Sequence, residues 1–140
     1  MTASLGVVHA ATMENLPRFL TFIDDVCANL DADGDTKYAL RLAVEEVCIN
    51  LIEYGYRGRP AGPIEVIAHD DGDRVKLEIR DRSPPFDPNS APPPDLTSDA
   101  EHRAPGGLGW YLVKRMFDEI RYVPDTEAGN VLTVVRRKAK

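Results

Sequence analysis

The sequence has only two cysteines, one tryptophan and no long apolar run. Cys27 and Cys48 both fall in segments of helical apolar periodicity, so we expect small core residues rather than a disulfide framework, and no His/Cys spacing indicates zinc. No apolar stretch approaches the ~18 residues needed to span a bilayer. The first twelve residues lack the basic and apolar regions of a signal peptide. A reducing cytoplasm is therefore the default compartment.

Basic residues are also in deficit. Lysine and arginine number 17 against 23 acidic residues, a formal net charge of −6, which argues against general affinity for nucleic acid or anionic membrane. A basic cluster at 136–140 is typical of a solubilising tail. The 140 residues, 43% of them hydrophobic and 29% charged, predict one compact domain over residues 1–140.

Apolar periodicity predicts the element order β-α-α-β-β-loop-α-β-β. The strands are expected at 5–10, 64–69, 75–81, 120–123 and 131–137, and the helices at about 15–29, 36–54 and 108–117. A turn containing Gly129 and Asn130 joins the last two strands. The fold class is α+β, a two-layer sandwich with helices on one face of a mixed, mostly antiparallel sheet. The predicted core stripe of the second helix comprises Leu40, Val44, Val47, Leu51 and Tyr54.

A proline-rich segment from about 82 to 105 separates the third strand from the third helix. It holds seven of the eleven prolines and has no apolar periodicity. Unstructured segments of this length are unusual inside compact domains and tend to be functional lids or disordered. Because a glycine-rich helix entry follows at once, a lid is the preferred interpretation.

The first candidate motif is Glu46-x-x-x-Asn50. In helical projection Asn50 lies ~80° and Glu46 ~120° from the core stripe on the same side, whereas Glu45 points away from the core. A carboxylate at such a rim can orient and deprotonate a hydroxyl, and an amide oxygen suits Mg²⁺. The alternative is the solvated flank of an amphipathic helix.

The second motif is Asp81-Arg82-Ser83-Pro84-Pro85-Phe86-Asp87, at the end of the third predicted strand. The carboxylate of Asp81 could accept the exocyclic amine of adenine, which guanine lacks at that position. Ser83 and the prolines allow a tight turn, and Phe86 offers an apolar or stacking surface. An ordinary Asx-type turn at a strand end is the alternative.

The third motif is Gly106-Gly107-Leu108-Gly109, at the entry to the third helix. Glycines permit close backbone approach, and amides at a helix N-terminus attract phosphate. No lysine follows as in a P-loop, and the spacing is not GxGxxG, so both of those nucleotide-binding folds are excluded. A flexible hinge is the alternative.

Taken in order, the three motifs resemble the N, G1 and G2 boxes of the GHKL (Bergerat-fold) ATPases. Among these, the sequences around Glu46, Phe86 and Gly109 look most like the small anti-sigma-factor serine/threonine kinases. The resemblance covers about 5–137. It implies that Glu46 is the general base and Asn50 the Mg²⁺ ligand. It also implies that Asp81 recognises adenine and that Gly106, Gly107, Leu108 and Gly109 hold phosphate.

The resemblance assigns further nucleotide contacts and shows two departures. Thr133 falls where relatives often place a threonine that helps Asp81 bind adenine, and Arg103 is a lid residue that could reach the γ-phosphate. Ser83 replaces a glycine of the G1 box, which could narrow the permitted backbone angles and alter nucleotide affinity. Tyr54 stands where relatives often have histidine.

The function implied by this resemblance is an ATP- and Mg²⁺-dependent bacterial serine/threonine protein kinase. Its substrate would be a small STAS-type antagonist protein, and it could also sequester a sigma factor and form a homodimer. Direct binding to nucleic acid or membrane is not expected. Two alternatives are a non-catalytic ATP-binding module that signals by lid closure and a domain with a purely structural role.

Overall fold

The computed structural model describes residues 3–86 and 108–138. Its strands are β1 (Ala3–Ala10), β2 (Pro63–Asp70), β3 (Arg74–Asp81), β4 (Glu119–Thr126) and β5 (Gly129–Arg137). Its helices are α1 (Leu16–Leu30), α2 (Gly34–Asn50) and α3 (Leu108–Met116). The predicted α+β fold class is confirmed. The lid was predicted at about 82–105, and its part from residue 87 onward, with Arg103, lies outside the described residues, as do Gly106 and Gly107.

The five strands form one sheet in the order β1-β2-β3-β5-β4, and every pairing in the described chain is antiparallel. β3 is central, so Asp81 at its end is flanked by Ile64 of β2 and Asn130 of β5. The predicted turn containing Gly129 and Asn130 is observed two residues earlier, at 127–128, with Gly129 closing it. Thr126 pairs with Gly129 across the hairpin, which places both glycine and asparagine in β5.

The hydrophobic core lies between one face of the sheet and the helices. Alternate residues of the central strands are buried there, as the period of two of a strand requires. The largest fully buried side chains include Phe19, Ile23, Leu40, Val44, Ile64, Val66, Leu77 and Ile79. Both cysteines are free and belong to this core, and burial raises the pKa of Cys48 to about 12. No helix in the described ranges is long and apolar enough to cross a membrane.

The second helix differs from its prediction at the C-terminal end. α2 starts at Gly34 and stops being α-helical after Asn50, and a single π-helical turn follows at Leu51–Gly55. Because a π turn bonds each residue to the fifth one before it, later residues rotate away from their straight-helix positions. Tyr54, predicted to belong to the core stripe, is instead 54% exposed, and Tyr56 is buried.

Candidate functional site

The first part of the site is the exposed rim of α2. Glu46 and Asn50 are half-buried, and Glu45 is exposed, in agreement with the helical projection. Burial, and secondly the neighbouring charge of Glu45, raises the pKa of the Glu46 carboxyl. A carboxylate that is costly to keep ionised is a better proton acceptor, which suits the predicted role of Glu46.

The carboxyl group of Glu46 packs against the first turn of α3. A Cβ built on Gly109 would overlap all three carboxyl atoms of Glu46, so only glycine leaves room for that side chain. Leu108 begins α3, and the first turn of a helix has backbone N–H groups without intrahelical acceptors. Glu46 therefore lies beside amides of the kind that bind phosphate.

The second part of the site is the buried carboxylate of Asp81. Its Oδ1 accepts the backbone N–H of Ser83 at 2.9 Å and the Ser83 hydroxyl at 2.6 Å. The same oxygen accepts Nδ2 of Asn130 at 3.0 Å. All the hydrogen bonds described for this carboxylate thus converge on one oxygen. The side chain is held in a single orientation, and the other oxygen is not committed to these partners.

Ser83 fits the turn without backbone strain. Among the described residues, the only non-glycine residues with positive φ are Asp31 and Asp125, so Ser83 does not require the conformational freedom of glycine. Space for its side chain comes from Gly55, because a Cβ at position 55 would lie 3.0 Å from the Ser83 hydroxyl oxygen. The serine hydroxyl adds a hydrogen bond to Asp81 that a glycine could not make.

Asn130 is a site residue that the sequence interpretation missed. Besides Asp81, its Nδ2 donates to the carbonyl of Ser83 at 2.8 Å, and its Oδ1 accepts the N–H of Asp125 at 3.1 Å. It is 2% exposed. The signal was available, because Asn130 is in phase with the core-facing residues Leu132 and Val134 of the same strand.

The strand register places Thr133, a predicted adenine contact, away from Asp81. Thr133 lies opposite Glu78 of β3 and Arg121 of β4, three residues along β5 from the partner of Asp81. An odd separation puts Thr133 on the other face of the sheet. The structure therefore does not bring the Thr133 side chain to Asp81. Phe86 is 62% exposed, and its backbone N–H donates to the Tyr122 hydroxyl.

A polar cavity of about 200 Å³ opens beside Asp81. Its lining consists of Asp81, Arg82, Ser83, Asp125, Thr126, Gly129 and Asn130. The volume is below the ~300–1,000 Å³ typical of sites for whole ligands. It therefore accommodates a fragment of a ligand, and its lining supplies carboxylate, hydroxyl and amide groups.

The fold is an antiparallel sheet covered by helices, and it brings the carboxyl group of Glu46 beside the start of α3. The chain belongs to the histidine kinase-like ATPase domain family, whose model matches residues 9–136.

Curated relatives include serine-protein kinases RsbW. The protein of Bacillus cereus strain AH187 is 28% identical over 90 residues, which is 61% of this chain and 56% of that protein. The protein of Listeria innocua serovar 6a is 28% identical over 98 residues, 67% of this chain and 62% of that protein. The aligned region thus spans little more than half of these relatives.

One solved structure supports the fold over nearly the whole chain. The crystal structure of the RsbU and RsbW domains of Rv1364c from Mycobacterium tuberculosis matches with a TM-score of 0.68. The match covers 99% of this chain and 33% of that one, at 20% sequence identity. At this identity the similarity concerns the fold alone.

Proposed function

We propose that this protein is an ATP-dependent serine/threonine protein kinase of the anti-sigma-factor regulatory type. The observation that carries the proposal is the contact between Glu46 and Gly109, where a carboxylate of raised pKa meets the first turn of a helix. A phosphotransferase needs a base for the acceptor hydroxyl close to the donors that hold the transferred phosphate.

The proposed reaction places the two ends of ATP at the two parts of the site. Asp81, held by Ser83 and Asn130, accepts the exocyclic amine of adenine. The amides at the start of α3 bind the phosphates, together with the predicted contacts from Gly106, Gly107 and Arg103. Glu46 takes the proton of a protein serine hydroxyl while the oxygen attacks the γ-phosphorus and ADP leaves.

Asn50 is the proposed Mg²⁺ ligand. No described residue donates or accepts a hydrogen bond with its half-buried side-chain amide, which leaves the oxygen available. Within the described ranges no three His, Cys, Asp or Glu side chains converge on a metal site. Asn50 therefore fits an ion that takes most of its other ligands from phosphate and water. When bound, Mg²⁺ would neutralise phosphate charge.

The proposed substrate is a small STAS-type antagonist protein that carries an acceptor serine. The curated relatives support this proposal, because they are named serine-protein kinases. Sequestration of a sigma factor, formation of a homodimer and residence in the cytoplasm are further proposals of the same kind. No direct contact with nucleic acid or membrane is proposed.

The deciding experiment is a transfer assay with labelled ATP, Mg²⁺ and a candidate STAS-type antagonist. We expect label on a serine of the antagonist. Glu46→Gln should reduce the rate by about 100-fold or more, because it removes a general base. Glu45→Gln is the matched control and should retain most of the rate, because Glu45 is exposed and its charge is only the smaller cause of the raised pKa of Glu46.

The outcomes separate the proposed kinase from a non-catalytic module. Binding of ATP without any labelled protein would favour the non-catalytic ATP-binding module. A Glu46→Gln variant that transfers phosphate at the wild-type rate would contradict the assignment of the base. Calorimetry that detects no binding at millimolar ATP with Mg²⁺ would leave only a structural role.

A further inference from the structure

The hydroxyl of Tyr56 connects three segments of the chain. It donates to the carbonyl of Pro63 at 2.8 Å, where β2 begins. It accepts the backbone N–H of Arg82 at 2.7 Å. Arg82 is the residue between Asp81 and Ser83, so this bond is made to the turn that carries the proposed adenine-recognising carboxylate.

Two local features fix the position of Tyr56: the π turn that precedes it and the glycine at position 62. The π turn ends when the N–H of Tyr56 donates to the carbonyl of Leu51 at 2.9 Å. π turns are rare and often occur at functional sites. On the other side, a Cβ on Gly62 would overlap the Tyr56 ring, so glycine allows the ring to lie directly against the backbone. Tyr56 as a whole is 7% exposed.

We infer that Tyr56 is a positioning residue for nucleobase recognition, an inference that rests on the proposed ATP-binding function. Through the N–H of Arg82 it sets the direction in which the backbone leaves β3, and with it the direction of the Asp81 carboxylate. Tyr56 also follows the turn that continues the helix bearing Asn50. Tyr56 therefore links the turn after the proposed metal-binding residue, through the chain, to the proposed base-reading turn, through its hydroxyl.

The test compares ATP with inosine triphosphate (ITP), which has the same phosphates but lacks the exocyclic amine. The ratio of their dissociation constants reports recognition of the base edge that carries this amine, the edge that Asp81 is proposed to read. Tyr56→Phe keeps the ring and removes the hydroxyl. We expect it to weaken ATP binding by about 10-fold, the equivalent of one hydrogen bond, and to leave ITP binding unchanged. Asp81→Asn should remove the preference, and Tyr54→Phe, at an exposed position, should keep it.

The possible results separate a failure of the Tyr56 inference from a failure of the proposed ATP-binding function. If the wild-type protein does not bind ATP, the proposed function fails before Tyr56 is tested. If the wild-type protein prefers ATP and Tyr56→Phe shows the same preference, the inference is wrong. An equal loss for both nucleotides would indicate a merely structural role and would also overturn it. Should Tyr56→Phe fail to fold, Gly62→Ala displaces the ring without removing a polar atom. It should narrow the preference in the same way, and an unchanged preference in that variant would overturn the inference.

Discussion

The carboxyl group of Glu46 occupies the space in which a side chain at position 109 would lie. This relationship joins the proposed base on α2 to the glycine-rich entry of α3. It predicts, on steric grounds, a need for glycine at position 109 that is separate from any contact with phosphate.

Gly109→Ala should separate catalysis from stability. The overlap is with the flexible end of Glu46, so the carboxylate can swing aside at little cost to folding, and alanine favours helix over glycine by up to ~1 kcal/mol. A displaced base should nevertheless reduce phosphotransfer by about 100-fold. The measurements are the transfer rate and the urea midpoint.

Gly34→Ala is the matched control for Gly109→Ala, since no atom lies within 4 Å of a Cβ built there. It should keep the full rate. A Gly109→Ala variant with wild-type transfer would contradict the steric role assigned to that glycine.

Glu46→Gln should make the protein more stable at neutral pH while removing activity. Burial raises the pKa of Glu46 above its ordinary value of 4.5, so the folded state binds this proton more tightly than the unfolded state. The wild-type protein therefore loses stability as the pH rises from 4.5 through the raised pKa, and glutamine does not. Urea unfolding at about pH 4 and about pH 8 measures the difference, which should appear only at the higher pH. A variant that is less stable than wild type at about pH 8 would show that Glu46 gains more from its folded-state contacts than it loses by burial.

Asn130→Ala should impair ATP binding, whereas Thr133→Ala should not. The Asn130 side chain donates to the Asp81 carboxylate and to the Ser83 carbonyl, and it accepts the N–H of Asp125. Its loss leaves these groups without that partner, which should lower the free energy of unfolding by about 1–3 kcal/mol. Thr133 lies on the other face of the sheet. Calorimetric titration with ATP measures the affinity of both variants, and unfolding curves measure their stability. A loss of ATP affinity confined to Thr133→Ala would restore the threonine assignment.

Gly55 and Ser83 should be energetically coupled. Gly55→Ala brings a methyl group to 3.0 Å from the Ser83 hydroxyl oxygen, which forces a shift in a buried region. Ser83→Gly removes that obstacle, although it also loses the hydrogen bond to Asp81. In a double-mutant cycle, Gly55→Ala should cost less in the Ser83→Gly background, with a coupling of about 0.5–3 kcal/mol. Additive effects would mean that the two positions do not share this space.

Most of the fold could be predicted because its signals are local. Periods of two and about 3.6 specify strands and helices, and turn residues mark where they end. The element order and α+β class followed from these patterns and were confirmed. The projection of α2 also separated Glu46 and Asn50 from Glu45, because their relative directions depend only on helix geometry.

The contacts between distant segments could not be read in that way. The prediction for Tyr54 failed because the π turn interrupts the helical period, and no pattern in the residues marked it. Asn130 was not predicted as a site residue because the turn between β4 and β5 was predicted at 129–130, two residues after its observed position. A shift in hairpin register moves each side chain to a different partner on the neighbouring strand.

The sequence by itself determined which chemical groups are available for the proposed ATP site, and on which elements they lie. Only the tertiary structure decided how those groups meet. The packing of α3 against α2 places Gly109 beside the Glu46 carboxyl group. The strand register places Asn130, rather than Thr133, within hydrogen-bond distance of Asp81. The absence of a side chain at Gly55 also leaves space for Ser83 at a position where relatives have glycine. The physical reason is that such choices depend on strand register and on the volume between packed elements, and both arise only when the whole domain assembles.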